Sequence, residues 1–370
     1  MAGLYFHIPF CKSRCAYCDF FRSVRLDALR PVVETMHAEL REQRDFIEKP
    51  DFKTIYFGGG TPSLLEPCEL QRFIDDADSI YSLGRVDEIT VEVNPDDITA
   101  EYVVALRQTA VNRVSMGVQS FCDDELRFMN RRHSAAEAVA AVKRLQDAGI
   151  DNITIDLIFG VDGFGAEVLA KSLEQSLSLG VQHISAYHLT IEPSTAFHHR
   201  LQQGQMREVA EECSEQEFML IHNTLTSAGF EHYEVSNYAL PGRRAKHNSS
   251  YWSGVHYLGI GPGAHSYNGS ERHWTLQEFD DYCSARRYQS EQLEERDHFN
   301  EYVMTSLRCA EGIDLEYIRE RFDSEYHAAL VKRSGRWLES GDLVSDGNRL
   351  RIPAERFLIS DAVIETFFDV

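Results

Sequence analysis

His7-Ile8-Pro9-Phe10-Cys11-Lys12-Ser13-Arg14-Cys15-Ala16-Tyr17-Cys18-Asp19-Phe20 carries three cysteines at Cys-x3-Cys-x2-Cys spacing. A short β-like run, residues 3–8, precedes them, so the cysteines occupy the loop that leaves a first strand. Thiols this close together make poor disulfides but good metal ligands. Iron–sulfur clusters are held by thiolates, and a tight loop lets three sulfurs converge on one cubane. With no fourth cysteine nearby, one iron is left open to an exogenous ligand. Zinc is the competing reading, but structural zinc needs four ligands and usually shows paired Cys-x2-Cys or Cys/His spacing. His7 is the neighbour that could supply a fourth. Cys68, Cys122, Cys213, Cys283 and Cys309 have no ligand spacing and read as ordinary small hydrophobes.

Outward from this loop, β-rich runs alternate with amphipathic stretches as far as about residue 240. Strands are predicted over 3–8, 53–57, 88–93, 112–117, 153–159 and 181–189. Helices are predicted over 27–48, 67–81, 123–129, 135–147 and 167–179, with one more after Asn94-Pro95-Asp96. The run 153–159 is almost wholly apolar, as in a strand buried on both faces. Such alternation means βαβ units and a parallel sheet. Six units imply an α/β fold, an open partial (β/α)6 barrel occupying residues 1–240. The rhythm then changes: a helix over 207–228, a short strand at 233–235, and a loop over 247–267 rich in glycine and aromatic residues. Residues 241–275 read as a connecting segment. Residues 276–370 read as a smaller, mainly helical domain, with a turn at Asp346-Gly347-Asn348 that gives it a winged-helix-like end.

Composition bounds the function. Lys and Arg number 37 against 59 Asp and Glu, a formal charge of −22. So acidic a surface repels phosphate backbones, so no nucleic-acid partner is expected even with a winged-helix-like unit. No run approaches the length of a membrane span, and residues 1–10 lack the basic start of a signal peptide. The expected location is the cytoplasm.

The cysteine spacing, with Tyr17 before the third cysteine, resembles the radical S-adenosylmethionine (SAM) superfamily, in which SAM chelates the open iron. Tyr5-Phe6-His7-Ile8-Pro9-Phe10-Cys11 narrows the resemblance to the coproporphyrinogen oxidase-like branch. Matching motifs follow in order at 58–63, 92–95, 115–121, 156–160, 233–238, 247–252 and 259–267, so the resemblance spans nearly the whole chain. It implies a [4Fe–4S] cluster on Cys11, Cys15 and Cys18, and a SAM pocket lined by Tyr5, Tyr17, Gly59, Gly60, Thr61, Glu92, Gln119, Arg131 and Asp156. Glycines at a strand end allow a ligand close to the backbone, and Arg131 suits a carboxylate. Asp156, inside an apolar strand, is costly unless paired. Each also has a plain structural reading: an internal ion pair for Glu92 and Asp156, a surface charge for Arg131. One departure is that Val161-Asp162-Gly163-Phe164 follows the fifth strand where the family commonly has proline, which puts the shape of that loop in doubt.

His247-Asn248-Ser249-Ser250-Tyr251-Trp252 fits the His-Asn-x-x-Tyr-Trp pattern of the HemW-type haem chaperones. A neutral imidazole can ligate haem iron, which makes His247 the candidate haem contact. His265, in Gly261-Pro262-Gly263-Ala264-His265-Ser266, is expected to face the SAM and substrate cavity.

Two functions from different classes fit these motifs. One is a haem chaperone that delivers haem to recipient haemoproteins such as respiratory enzymes. The other is oxygen-independent coproporphyrinogen III oxidase, which decarboxylates two propionates by radical chemistry; a radical SAM enzyme that opens the haem macrocycle is a third reading. Oxidases of this family carry a cysteine two residues after the third ligand, where this chain has Phe20. They also carry a segment ahead of the cysteine loop, expected to be missing where the first ligand is residue 11. Both features and the 247–252 pattern favour the chaperone. The resemblance further implies a homodimer linked to cluster assembly and peripheral membrane association through a partner.

Overall fold

In this computed structural model, residues 1–275 and 278–369 are described. Residues 276 and 277, at the expected start of the C-terminal domain, and 370, its end, lie outside them. Six parallel strands, β1 (Ala2–Ile8), β2 (Phe52–Gly59), β3 (Glu88–Val93), β4 (Arg113–Gln119), β5 (Ile153–Phe159) and β6 (His183–His188), lie side by side in chain order. Helices connect them, among them Leu29–Glu42, Pro67–Tyr81, Ala135–Asp147 and Gly165–Ser178. Local chemistry sets their ends. Pro67 opens its helix at a position where a missing N–H costs nothing. A reciprocal capping box between Ser134 and Glu137 starts Ala135–Asp147.

Strand alternation sorts the side chains. Leu4, Phe6, Ile8, Ile55, Phe57, Val91, Val114, Met116 and Ile155 point outward and are buried beneath the helices. The inward positions are largely polar: Tyr5 and His7, Thr54 and Tyr56, Glu88 and Glu92, Arg113 and Ser115, Thr154 and Asp156, His183 and Ser185. The fifth strand, read as buried on both faces, therefore turns a carboxylate into the barrel.

The sheet stays open. Strands β7 (Glu231–Glu234) and β8 (Asn237–Ala239) add antiparallel beyond β6. On the other side β9 (His256–Ile260) pairs parallel with β1, and β10 (His265–Tyr267), β11 (Glu271–Thr275) and β12 (Tyr288–Gln292) follow antiparallel. Residues 247–267, read as a loop, thus hold all but the first residue of a helix (Lys246–Trp252) and two strands of the main sheet. The helix expected over 27–48 stops at Glu42, because Phe46 turns to pack on His273 (ring centroids 3.9 Å apart) and Ile47 is buried. The helix expected over 207–228 begins at Glu211.

Beyond residue 293, helix Glu295–Leu307, strand β13 (Ile313–Asp314), helices Leu315–Arg321 and Ser324–Ser340, and the hairpin β14 (Val344–Asp346) and β15 (Arg349–Arg351) follow the order of a winged helix. The hairpin turns at Gly347, as expected, with φ +60°. Val235 N–H donates to Arg308 O and Ala310 N–H to Tyr233 O (both 3.0 Å), which docks this unit on the β7 edge.

The narrow end of the barrel is closed from inside. Glu88, buried at the start of β3, accepts the N–H groups of Lys246 and His247 at 2.9 Å each and lies 3.9 Å from the buried Arg113 guanidinium. Replacing Glu88 by Ala would orphan two N–H donors and leave a buried cation unpaired, a loss of roughly 3–5 kcal/mol. Denaturant unfolding should show that loss, with Glu88→Gln intermediate; an unchanged midpoint for Glu88→Ala would remove this rung from the fold's support.

Candidate functional site

The cysteine loop is tied down at several points. Cys11 N–H donates to Ser23 O (2.9 Å) and Ser23 N–H to Pro9 O (2.7 Å). Ala16 N–H donates to Met129 O, and Phe197 N–H donates to Ala16 O (both 2.9 Å). Asn130 Nδ2 donates to Arg14 O at 2.7 Å. The loop hangs over the C-terminal ends of β1–β6, the end where barrels of this kind build their sites. Beneath it lies a cavity of about 640 Å³ whose wall includes Cys11, Cys15 and Cys18.

Two thiols are already hydrogen-bonded by residues from loops that follow other strands. Thr61 Oγ1 donates to Cys11 Sγ and Arg131 Nη1 to Cys15 Sγ, both at 3.3 Å. Such donors stabilise thiolate over thiol, as a metal ligand requires. Burial works the other way, raising the Cys11 and Cys18 pKa values. Among the described residues, no three His, Cys, Asp or Glu side chains are gathered closely enough for a single metal ion. A cubane has a looser demand, since each sulfur binds its own iron, and the residues fit one. Arg131 Nε is buried without a partner beside the thiols. A Cβ at Gly60 would come within 2.7 Å of the Phe10 backbone, so only glycine lets this turn lie against the cysteine loop.

The remaining expected pocket residues converge on the same cavity. Gly59 takes φ +106°, open to glycine alone, and donates its N–H to Glu92 Oε2 (3.1 Å). Tyr56 donates to Glu92 Oε1 at 2.7 Å. Burial pushes the Glu92 carboxyl up to about 7, with the Asp156 charge adding to the effect and the Tyr56 and Gly59 bonds opposing it. Asp156, facing the same cavity, is pushed up to about 6 by loss of solvent. Arg131 Nη2 donates to Asn94 Oδ1 (2.7 Å) and Gly117 O (2.5 Å), so its fork is aimed by backbone and side chain together. Gln119 sits at the end of β4 with φ +69°, a left-handed conformation rare for a residue with a Cβ. Tyr5 and Tyr17 complete the wall, and Tyr5 Oη is 2.9 Å from His7 Nδ1. Tyr56 and Asn94 were missed from sequence. Tyr56 had a signal, because it alternates with Thr54 and Gly58 on the inward face of β2.

His247 lies on the cavity floor, 1% exposed, with both ring nitrogens engaged: Nδ1 with Thr54 Oγ1 (2.8 Å) and Nε2 with Tyr251 Oη (3.0 Å). Burial holds it far toward the neutral form, with a pKa of about 3. Metal ligation through Nε2 would require Tyr251 to leave. His265 is not among the cavity-lining residues. It stands exposed on β10 with its ring stacked on Trp274 at 5.3 Å, because β10 turns it to the outside of the sheet.

A three-cysteine loop over an open six-stranded barrel with a polar interior is the architecture of the radical SAM superfamily, and the model of that superfamily matches residues 5–175. Heme chaperone HemW of Lactococcus lactis subsp. lactis (strain IL1403) is 33% identical over 98% of this chain and 96% of its own length. The HemW of Mycobacterium tuberculosis (strain ATCC 25618 / H37Rv) is 32% identical over 98% and 94%. That of Escherichia coli (strain K12) is 37% identical over 71% and 69%. Coproporphyrinogen III oxidase (HemN) from Escherichia coli superposes with a TM-score of 0.85, covering 99% of this chain and 90% of its own, at 21% identity, which is a likeness of fold. The chain belongs to the HemW family of the radical SAM superfamily.

Substituting Cys11, Cys15 and Cys18 together by Ala should abolish the broad visible absorption of anaerobically reconstituted protein and its bound iron and sulfide. Retention of both would overturn the ligand assignment.

Proposed function

We propose that this protein is a haem chaperone that carries a [4Fe–4S] cluster and SAM and delivers haem to recipient haemoproteins such as respiratory enzymes. The observation that carries the reading is the pairing of an intact cluster-loop cavity with the 246–252 helix seated in its floor, in a chain alike to HemW proteins along nearly its whole length. Cys11, Cys15 and Cys18 would hold the cluster. Gly59, Gly60, Thr61, Glu92, Gln119, Arg131 and Asp156, with Tyr5 and Tyr17, would hold SAM. When bound, the reduced cluster supplies an electron that can be passed to SAM.

The chain's own groups set the charge balance of that pocket. Arg131 offers a half-buried cation to a carboxylate, and Glu92 offers an acceptor to an ammonium or ribose hydroxyl. Phe20, 66% exposed at the cavity rim, stands where the oxidases of the resemblance carry a further cysteine. An apolar ring there supplies no thiol to the chemistry but offers a surface to a flat macrocycle. The cytoplasm and a homodimer linked to cluster assembly belong to the same proposal; no helix among the described residues is long and apolar enough to cross a membrane.

Glu92 gives the SAM assignment a pH signature. With its carboxyl pushed up to about 7, it gains its charge as pH rises from about 6 to about 8, and only then attracts an ammonium. SAM affinity of the reconstituted protein, measured by calorimetry, should therefore strengthen across that range and lose most of this slope in Glu92→Gln. An equal slope in the variant would detach Glu92 from SAM.

The functional assignment itself is tested with anaerobic, reconstituted protein given SAM, a reductant and either coproporphyrinogen III or haem. Stoichiometric haem uptake without conversion of coproporphyrinogen is expected. Turnover to protoporphyrinogen would replace the chaperone reading with the oxidase one, and an open-chain tetrapyrrole from haem would replace it with a degrading enzyme.

A further inference from the structure

Beside the cluster cavity lies a second concavity, of about 960 Å³, between the start of helix Glu211–Ser227 and the C-terminal turn Ala354–Ile359. The two spaces share His188, Leu189 and Thr190, at the end of β6 and just after it. Whatever fills the second therefore sits at the edge of the first.

The floor of this groove is apolar and its rim is acidic. Ile359 is 36% exposed, and Ile191, Val209 and Leu358 are half-buried beside it. Around them stand the exposed carboxylates of Glu208, Glu211, Glu212, Glu215, Glu355 and Asp361. The two arginines that line the same space, Arg207 and Arg356, do not balance them. Arg356 is already held 3.4 Å from Asp342 and 3.8 Å from Glu215, while Asp361 draws Arg308 from outside the groove. Glu208, Glu211, Glu212 and Glu355 form no ion pair among the described residues.

Most of these carboxylates have a local reason. Glu211 and Glu212, Glu355, and Asp361 open three separate helical turns, where a negative group meets the positive end of the backbone dipoles. Their meeting around one space has no such reason. Like charges gathered there repel one another in the free protein, and a cation entering between them removes that cost. A metal ion or a small cation would leave the apolar floor in water. Nucleic acid and an anionic membrane are repelled by the rim. A polypeptide segment with apolar side chains on one face, flanked by lysines or arginines, satisfies floor and rim together.

We propose that this groove docks a basic amphipathic segment of a partner protein, which brings that partner to the edge of the cluster cavity. Identifying the partner with the haem recipient rests on the haem-chaperone reading; the docking itself does not.

The test uses full-length protein and a fluorescein-labelled amphipathic peptide of leucine and lysine, read by fluorescence anisotropy. Binding is expected at low salt and should weaken as sodium chloride rises from about 50 to about 300 mM. Charge reversal at the rim, Glu208→Lys with Glu212→Lys, should weaken it by about tenfold or more. The same reversal at Asp75 and Asp78, exposed on helix Pro67–Tyr81 and not lining the groove, should change it by less than about twofold. Ile359→Gln should weaken binding with the charge untouched, and a peptide with serine in place of leucine should bind weakly to every form. Equal losses from the two charge reversals would show only attraction to the overall charge of −22 and overturn the groove as the site. Full affinity in Ile359→Gln, or no binding by the wild type, would overturn it as well. Haem uptake by the same protein is read separately from its Soret band, so failure of the docking leaves the chaperone reading standing, and the reverse.

Discussion

The carboxylate of Glu88 is removed from water at the narrow end of the barrel, and what it holds there decides how the rest of the interior is used. It faces the buried Arg113 and accepts two backbone N–H groups at the start of the 246–252 helix. An isolated buried charge of either sign would be prohibitive; together, with the helix N-terminus contributing donors, they become a polar plug. Arg113 gains a further partner in Thr154 Oγ1. With the narrow end closed this way, the next layers outward, Tyr5, Tyr56, Ser115 and Asp156 and then Gly58, Glu92 and Gly117, can stay polar and face a cavity. The mouth is left for the cysteine loop.

That layering explains why so much of the site was legible. An inward polar residue between outward apolar ones is a period-two signal, and the six strands carry it through Tyr5, Tyr56, Glu92, Ser115, Asp156 and Ser185. The cysteine loop and the strand ends at Gly58–Thr61 and Gln119 then had to fall at one end of the sheet, because parallel strands put all their C-termini together. All nine expected SAM-pocket residues and all three cysteines line a single cavity. Less legible was anything that depends on a partner far along the chain. Strand β9 was read as loop because Gly259 and Gly261 interrupt its pattern. Those glycines are required by neighbours more than two hundred residues away or across a tight turn. At Gly261, with φ +119°, a Cβ would come within 2.5 Å of His7 O, and at Gly259 within 2.1 Å of His265 O. No local rule announces a β1–β9 pairing.

His247 and His265 show the same limit from the side of chemistry. A histidine among aromatic residues looks like a ligand, yet whether its nitrogens are free is decided by residues distant in sequence. Thr54 on β2 occupies one nitrogen of His247, and Gly3 on β1 leaves the gap that the ring fills, since a Cβ there would stand 3.1 Å from Cε1. His265 lies two residues after a glycine turn, on a strand whose register against β11 sends it outward to Trp274. Motif position predicted proximity to the site in one case and failed in the other; contacts from distant strands decided the first and strand register the second.

Sharing a backbone with an oxidase does not by itself transfer its chemistry, because fold and site are set by different residues. The barrel that superposes on HemN is maintained by the outward apolar faces and the Glu88 plug, and neither touches the cavity mouth. What the mouth can do is set by a few side chains free of that structural duty. Phe20 is exposed and replaceable without cost to the core, and His188 is held to its neighbours mainly by one hydroxyl and one aromatic edge. Exchange of such rim residues can change what the cavity accepts while the scaffold stays unchanged. The acidic balance of the chain reinforces the point. A formal charge of −22 discourages anionic ligands over most of the surface, so the Arg131 guanidinium on the cavity wall marks where a carboxylate can be held.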